Sequence, residues 1–199
     1  MGCHSRLVGC VGETLTMSIF ERTQTSLILK CSCGSVEMKA FDAAITSAVC
    51  YCDTCQRGSR ELAALPNASS VQDLDGGTAY VLYRADRVAY SKGGELLRSL
   101  KFDETATSRI YASCCNSAMV MEFDDARHWV CIYRARFQSD APALEFRICT
   151  KFTLETAEIP NDVPGYAMYP LGLLVKLLEA KIAMIFSPRY ASSEGLAKR

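Results

Sequence analysis

The sequence predicts a mainly β, antiparallel domain closed by one C-terminal helix, and three observations carry that prediction. From Thr25 to about Phe152, short apolar-rich runs are separated by turn residues with no helical segments alternating between them. Inside the runs the side chains alternate: Val36, Met38 and Ala40 against Ser35, Glu37 and Lys39, the period of a half-buried strand. Beyond Thr156 the period changes, and Leu171, Leu174, Val175, Leu178, Ile182 and Ile185 recur at helical spacing.

Taken in order, the strand candidates are 26–30, 36–40, 45–50, 78–83, 88–91, 97–102, 109–113, 119–123, 129–137 and 146–152. Gly76-Gly77 and Gly93-Gly94 punctuate them as turns. Glu61 to Leu65 suits a short helix that stops before Pro66. Pro160 and Pro164-Gly165 mark a loop, and the helix runs over 171–186, broken on its other face by Lys176, Glu179 and Lys181. The chain thus divides into a loose N-terminal extension over 1–24, a β domain over 25–156, and a C-terminal extension over 157–199. Translation from Met17 would remove most of the first segment.

With 199 residues, 49% hydrophobic and 22% charged, the chain can bury a core without disulfides. Lys+Arg (22) and Asp+Glu (22) cancel, so no basic field recruits nucleic acid or an anionic membrane. The C-terminal helix is too short and too charged to span a bilayer; it is expected to pack on the β domain or on a second copy of the chain, giving a homo-oligomer. Residues 1–20 lack the pattern of an export signal, and Arg6 breaks the myristoylation pattern begun by Met1-Gly2-Cys3. The expected compartment is therefore the reducing cytoplasm, where clustered cysteines bind metals more often than they pair.

Five of the 11 cysteines fall between positions 31 and 55, as Cys31-Ser32-Cys33-Gly34 and Cys50-Tyr51-Cys52-Asp53-Thr54-Cys55. Such spacing gathers several thiolates onto one short strand and turn, and zinc is the first candidate for the ion they hold. Cysteines two apart on an extended strand share a face. A third element lies downstream at Tyr111-Ala112-Ser113-Cys114-Cys115-Asn116-Ser117.

C-x-C-G, then C-x-C-x-x-C-Gln-Arg, then an aromatic-led cysteine element resembles the glutathione-dependent formaldehyde-activating enzyme family, which includes centromere protein V. The similarity spans roughly residues 28–125 and places this chain on a divergent branch. It implies an Mss4-like zinc-binding β fold (a β-tent) with one or two Zn²⁺ ions per chain. By resemblance, Cys31, Cys33 and Cys115 belong to a structural zinc, while Cys50, Cys52 and Cys55 hold a second zinc where a small thiol such as glutathione binds. The implied chemistry is that of a carbon–sulfur lyase acting on a hemithioacetal. Two positions depart from the pattern. Ala112 stands where the third motif has its first cysteine, and Cys114 can fill the vacancy only if a turn or bulge reorients it. Asn116, in place of the usual Gly, suits the left-handed conformation of such a turn. Tyr51 stands where many members have His.

Other residues read as structural. Cys131 and Cys149 are expected to be buried strand cysteines, and His128 a packing residue beside Trp129. Trp129, Tyr133 and Phe137 share a core face, and Asp124-Asp125 forms a turn. Arg57, Arg60 and Arg109 stand near the motifs in sequence and are expected at the surface or in ion pairs. Two functions remain open: a zinc-dependent lyase with Cys50, Cys52 and Cys55 at its centre, or a non-catalytic zinc-stabilised interaction module. A redox sensor is a third, weaker fit.

Overall fold

The computed structural model describes residues 26–138, 141–153 and 156–186. The expectations for Cys3, His4, Cys10, an acylated terminus and a Met17 start lie outside them, as does the tail after Phe186. Strands are β1 (Ser26–Lys30), β2 (Glu37–Phe41), β3 (Thr46–Cys50), β4 (Thr78–Arg84), β5 (Val88–Lys92), β6 (Leu97–Lys101), β7 (Thr107–Ala112), β8 (Ser117–Phe123), β9 (Trp129–Tyr133), β10 (Phe146–Ile148) and β11 (Gly165–Tyr166). Two helices, α1 (Asp53–Ala63) and α2 (Leu171–Phe186), complete the elements with four short 3-10 turns.

The strands form two sheets. One has the order β1-β2-β5; the other runs β11-β10-β3-β4-β9-β8-β7-β6. The mainly β expectation holds, and most pairings are antiparallel, but β10 lies parallel to both β3 and β11, so the large sheet is mixed. A parallel neighbour needs a long crossover, and the chain between β3 and β10 supplies it.

Alternation along the central strands creates two cores. Val81, Tyr83, Val120, Val130 and Ile132 face the small sheet, where they meet Leu29, Val36, Met38 and Val88. Their neighbours Tyr80, Leu82, Met121, Cys131 and Tyr133 face the other way, towards Leu62 of α1 and Leu173 of α2. The molecule therefore has small sheet, large sheet and helices as successive layers.

Several elements depart from the sequence reading, among them β9, which ends at Tyr133 short of Phe137, and β11, which forms at Gly165–Tyr166 where the sequence reads as a loop. The helix expected at 61–65 starts at Asp53, immediately after Cys52, so the C-x-C-x-x-C segment bends from a strand into a helix rather than into a simple turn. The last long strand stops at Ile148, because Cys149 takes a left-handed backbone (φ 60°) and leads a 3-10 turn. The C-terminal helix has the expected bounds but docks through Leu173 and Ala180. The apolar stripe, expected to pack on the β domain or on a second copy of the chain, does not face the β domain: Leu171, Leu178 and Ile185 are 75%, 60% and 73% exposed, with no cover among the described residues. Candidate lengths and faces are legible in the sequence; the rotation of this helix about its own axis is not.

Candidate metal centres

β1 ends just before Cys31, and the turn to β2 carries Cys33 at its tip, with Gly34 at φ 75° closing it. The β7–β8 turn brings Cys114 and Cys115 from the large sheet to the same point. Cys114 gains the reorientation that a regular strand would deny it: Ala112 ends β7, Asn116 adopts φ 51°, and a register shift at Ile110/Tyr111 precedes the turn. The sulfurs of Cys31 and Cys33 are 3.5 Å apart, Cys33 and Cys114 3.4 Å, Cys31 and Cys114 3.8 Å, and Cys114 and Cys115 3.9 Å. Zinc–sulfur bonds of about 2.3 Å in a tetrahedron place sulfurs about 3.8 Å apart. All four sulfurs lie within 4.8 Å of one another, so the group could hold a metal ion, with Cys114 brought into it by the turn.

Polar neighbours suit thiolates here. The Val36 amide donates to Cys31 Sγ at 3.3 Å, and Ser117 Oγ lies 3.1 Å from Cys115 Sγ. Hydrogen bonding by Ser35 lowers the Cys33 pKa to about 6. Arg136 donates to Ser32 Oγ at 3.3 Å beside the cluster; its burial lowers its pKa, against the pull of the Cys115 and Cys31 sulfurs.

Cys50, Cys52 and Cys55 form the second group, again within 4.8 Å of one another. Cys50 is the last residue of β3, Cys52 caps α1 from an extended conformation, and Cys55 lies in the helix's first turn. The positive end of α1 thus points at the sulfurs and favours their ionised form. The hydrogen bond from Cys50 is the main cause that lowers the Cys52 pKa; the Cys149 contact pushes that of Cys50 up. Gln56 fixes this bend, its amide donating to the carbonyls of Tyr51 at 2.6 Å and Phe152 at 3.0 Å. Ser59 and Thr78 tie the helix to β4 through a buried 2.8 Å hydroxyl contact.

Two residues near this group depart from their expected places. Arg109 is not at the surface but wholly buried (0% exposed). It donates Nη2 to the Thr54 carbonyl at 2.6 Å and Nη1 to Thr107 Oγ1 at 3.3 Å, with no carboxylate partner among the described residues. Its guanidinium lies against Gly58, where an added Cβ would meet Nε at 1.8 Å. Cys149 is buried as expected, but it sits beyond a strand end with its thiol in contact with Cys50 and with Tyr169. Neither location is visible locally, since the partners are distant in sequence. Cys131 lies on β9, as expected.

Tyr51 points to the opposite side of the sheet from the sulfurs. Its hydroxyl donates to Asp75 at 2.6 Å and accepts from Arg147, which also pairs with Asp75 at 3.1 Å and Asp162 at 2.8 Å. The side chain at position 51 is therefore no part of the cysteine site. His128 packs edge-on against Trp129 with its ring nitrogen 2.8 Å from the Leu177 carbonyl, and Arg57 pairs with Glu104 at the surface, both as expected. The Asp124 and Asp125 carboxylates are taken up by Lys101 and Arg127.

The three-cysteine group shares a cavity of about 390 Å³ with Leu82, Met121, Trp129, Tyr169, Leu173 and Leu174 among others. Trp129, expected in the core, is instead part of this wall. Cys52 is the half-buried sulfur of the three; Cys50 and Cys55 are buried. The two cysteine groups thus differ in kind: one gathers four sulfurs from two sheets, the other has three and faces a hollow.

No family model matches the chain, and no curated protein does. Among solved structures, a Rhodobacter sphaeroides protein determined as a Northeast Structural Genomics target aligns with a TM-score of 0.44 at 14% identity, over 70% of this chain and 100% of that one. No helix among the described residues is long and apolar enough to cross a membrane.

Proposed function

We propose that this chain is a zinc protein of the glutathione-dependent formaldehyde-activating type, in which Cys31, Cys33, Cys114 and Cys115 hold a structural ion and Cys50, Cys52 and Cys55 hold a second, substrate-binding one. The observation that supports this reading is the asymmetry of the two groups: four gathered sulfurs could close a tetrahedron around an ion, whereas three, here beside a cavity, would leave a position open. When bound, zinc supplies a Lewis acid that keeps a thiol deprotonated near neutral pH.

The chain's own residues do the rest. The α1 N-terminus offsets the negative charge of the three sulfurs, and Gly58 leaves Arg109 room to brace the Thr54 turn. Apolar walls exclude competing water. Tyr169 lines the same cavity, with its hydroxyl in contact with the Cys149 thiol. In the lyase direction the hemithioacetal C–S bond breaks with its electron pair passing to sulfur. The hydroxyl loses its proton and becomes the carbonyl of the released aldehyde, leaving the free thiol.

The test is Cys52→Ser in the reduced, metal-loaded full chain, with metal content, circular dichroism and hemithioacetal exchange between formaldehyde and thiol read together. One zinc retained of two, with an intact fold and exchange reduced at least a hundredfold, supports the reading. Exchange equal to that of the variant in the wild-type chain sinks it. Loss of the fold in the variant would instead make the second ion structural, favouring the interaction module and its outward α2 face.

A further inference from the structure

The cavity's lining bears on the thiol itself, provided that the three-cysteine group binds one as proposed above. We infer that its substrate is a thiol with an apolar body, aliphatic or aromatic, or the hemithioacetal of such a thiol, in place of a charged peptide thiol. The wall is built from Ala48, Leu82, Met121, Ile148, Leu173 and Leu177, with Phe123 and Trp129 as aromatic faces. No acidic side chain is among its described lining residues.

Glutathione carries an ammonium and two carboxylates. The ammonium would find no carboxylate in the wall, and an ionised group removed from water without a partner binds poorly. The carboxylates fare little better. Arg109 donates Nη2 and Nη1 to Thr54 and Thr107 and has its Nε turned against Gly58, and Arg127 pairs with Asp125 at 3.0 Å at the surface while its guanidinium lies 4.2 Å from the Phe123 ring centroid. An alkyl or benzyl body meets complementary surface over the aliphatic and aromatic part of the wall, and each buried methylene strengthens binding roughly fourfold. The volume of about 390 Å³ accommodates such a body with the sulfur at the cysteines.

The chain's single tryptophan, Trp129, is in the wall and reports occupancy without any turnover. Fluorescence titrations of the reduced, metal-loaded chain would use 2-mercaptoethanol, propane-1-thiol, pentane-1-thiol, phenylmethanethiol and glutathione. A cobalt-substituted sample would follow the thiolate-to-metal absorption in parallel. Affinity rising with chain length, and phenylmethanethiol at least tenfold tighter than glutathione, is the expected result. Leu174→Lys, at the half-exposed edge of the cavity, should weaken phenylmethanethiol about fivefold or more and leave 2-mercaptoethanol unchanged. Glutathione binding as tightly as the apolar thiols overturns this inference while the thiol-site reading stands. No thiol perturbing either signal overturns both.

Discussion

Tyr51 lies within the C-x-C-x-x-C motif, yet its ring is buried away from the sulfurs and its hydroxyl bridges Asp75 and Arg147. Adjacent residues at a strand end face opposite ways, so a motif read as a string mixes two sites: sulfurs on one side, a polar anchor on the other. Tyr51→Phe should remove that anchor's hydroxyl and lower stability by roughly 1–2 kcal/mol, with Asp75 and Arg147 retaining each other. Thermal unfolding would then shift by about 2–8 °C at unchanged zinc content and unchanged thiol affinity. A loss of metal in this variant would show that position 51 acts on the site after all.

The helices are the least legible elements, for reasons of packing. Thr54, Gly58 and Ser59 are weak helix formers, and α1 forms there because Gly58 alone lets Arg109 lie against the helix and because Gln56 and Ser59 are satisfied by distant partners. The strands, whose alternation is written locally, are legible to within a residue or two at most ends. The extra length expected at 134–137 and 149–152 folds into 3-10 turns, and Cys149 has no local sign of its left-handed backbone. In α2, apolar residues surround the axis, so periodicity identifies a stripe but not which flank docks. Its docking has a titratable contact: His128 Nε2 meets the Leu177 carbonyl. Burial lowers the His128 pKa below 6.5, assisted by Lys181 and Arg84 and opposed by the Leu177 bond and Asp86. The folded value is below the unfolded one, so the unfolded chain binds more protons in between and stability falls as pH drops below about 6.5. Melting temperature measured from pH 7.5 to 5 should decline, and His128→Gln should flatten that decline. An identical slope in the variant would mean His128 does not contribute.

At the scale of the molecule, the four-cysteine group is where the two sheets are joined. Cys31 and Cys33 belong to the β1–β2 turn of the small sheet, Cys114 and Cys115 to the β7–β8 turn of the large one. The Ser32 amide donating to Ser117 Oγ at 3.0 Å and the Leu29–Phe137 bridge add to the same seam. The three-cysteine group, by contrast, lies within one continuous stretch from β3 to α1 and closes no long loop. A cross-link between distant segments restricts the unfolded chain far more than one within a single short motif, so by loop-closure entropy an ion held by the four-cysteine group would be the greater stabiliser. Cys114→Ser should therefore hold one zinc in place of two and melt roughly 10 °C lower, as expected from a loss of about 3–4 kcal/mol in a chain of this size. Cys52→Ser should lose one zinc as well, yet melt within a few degrees of the wild type. Chelator titration under reducing conditions should separate the ions in the same order, the three-cysteine site emptying first with the sheets still packed. Equal destabilisation by the two substitutions, or full zinc content in Cys114→Ser, would remove Cys114 from the four-cysteine group.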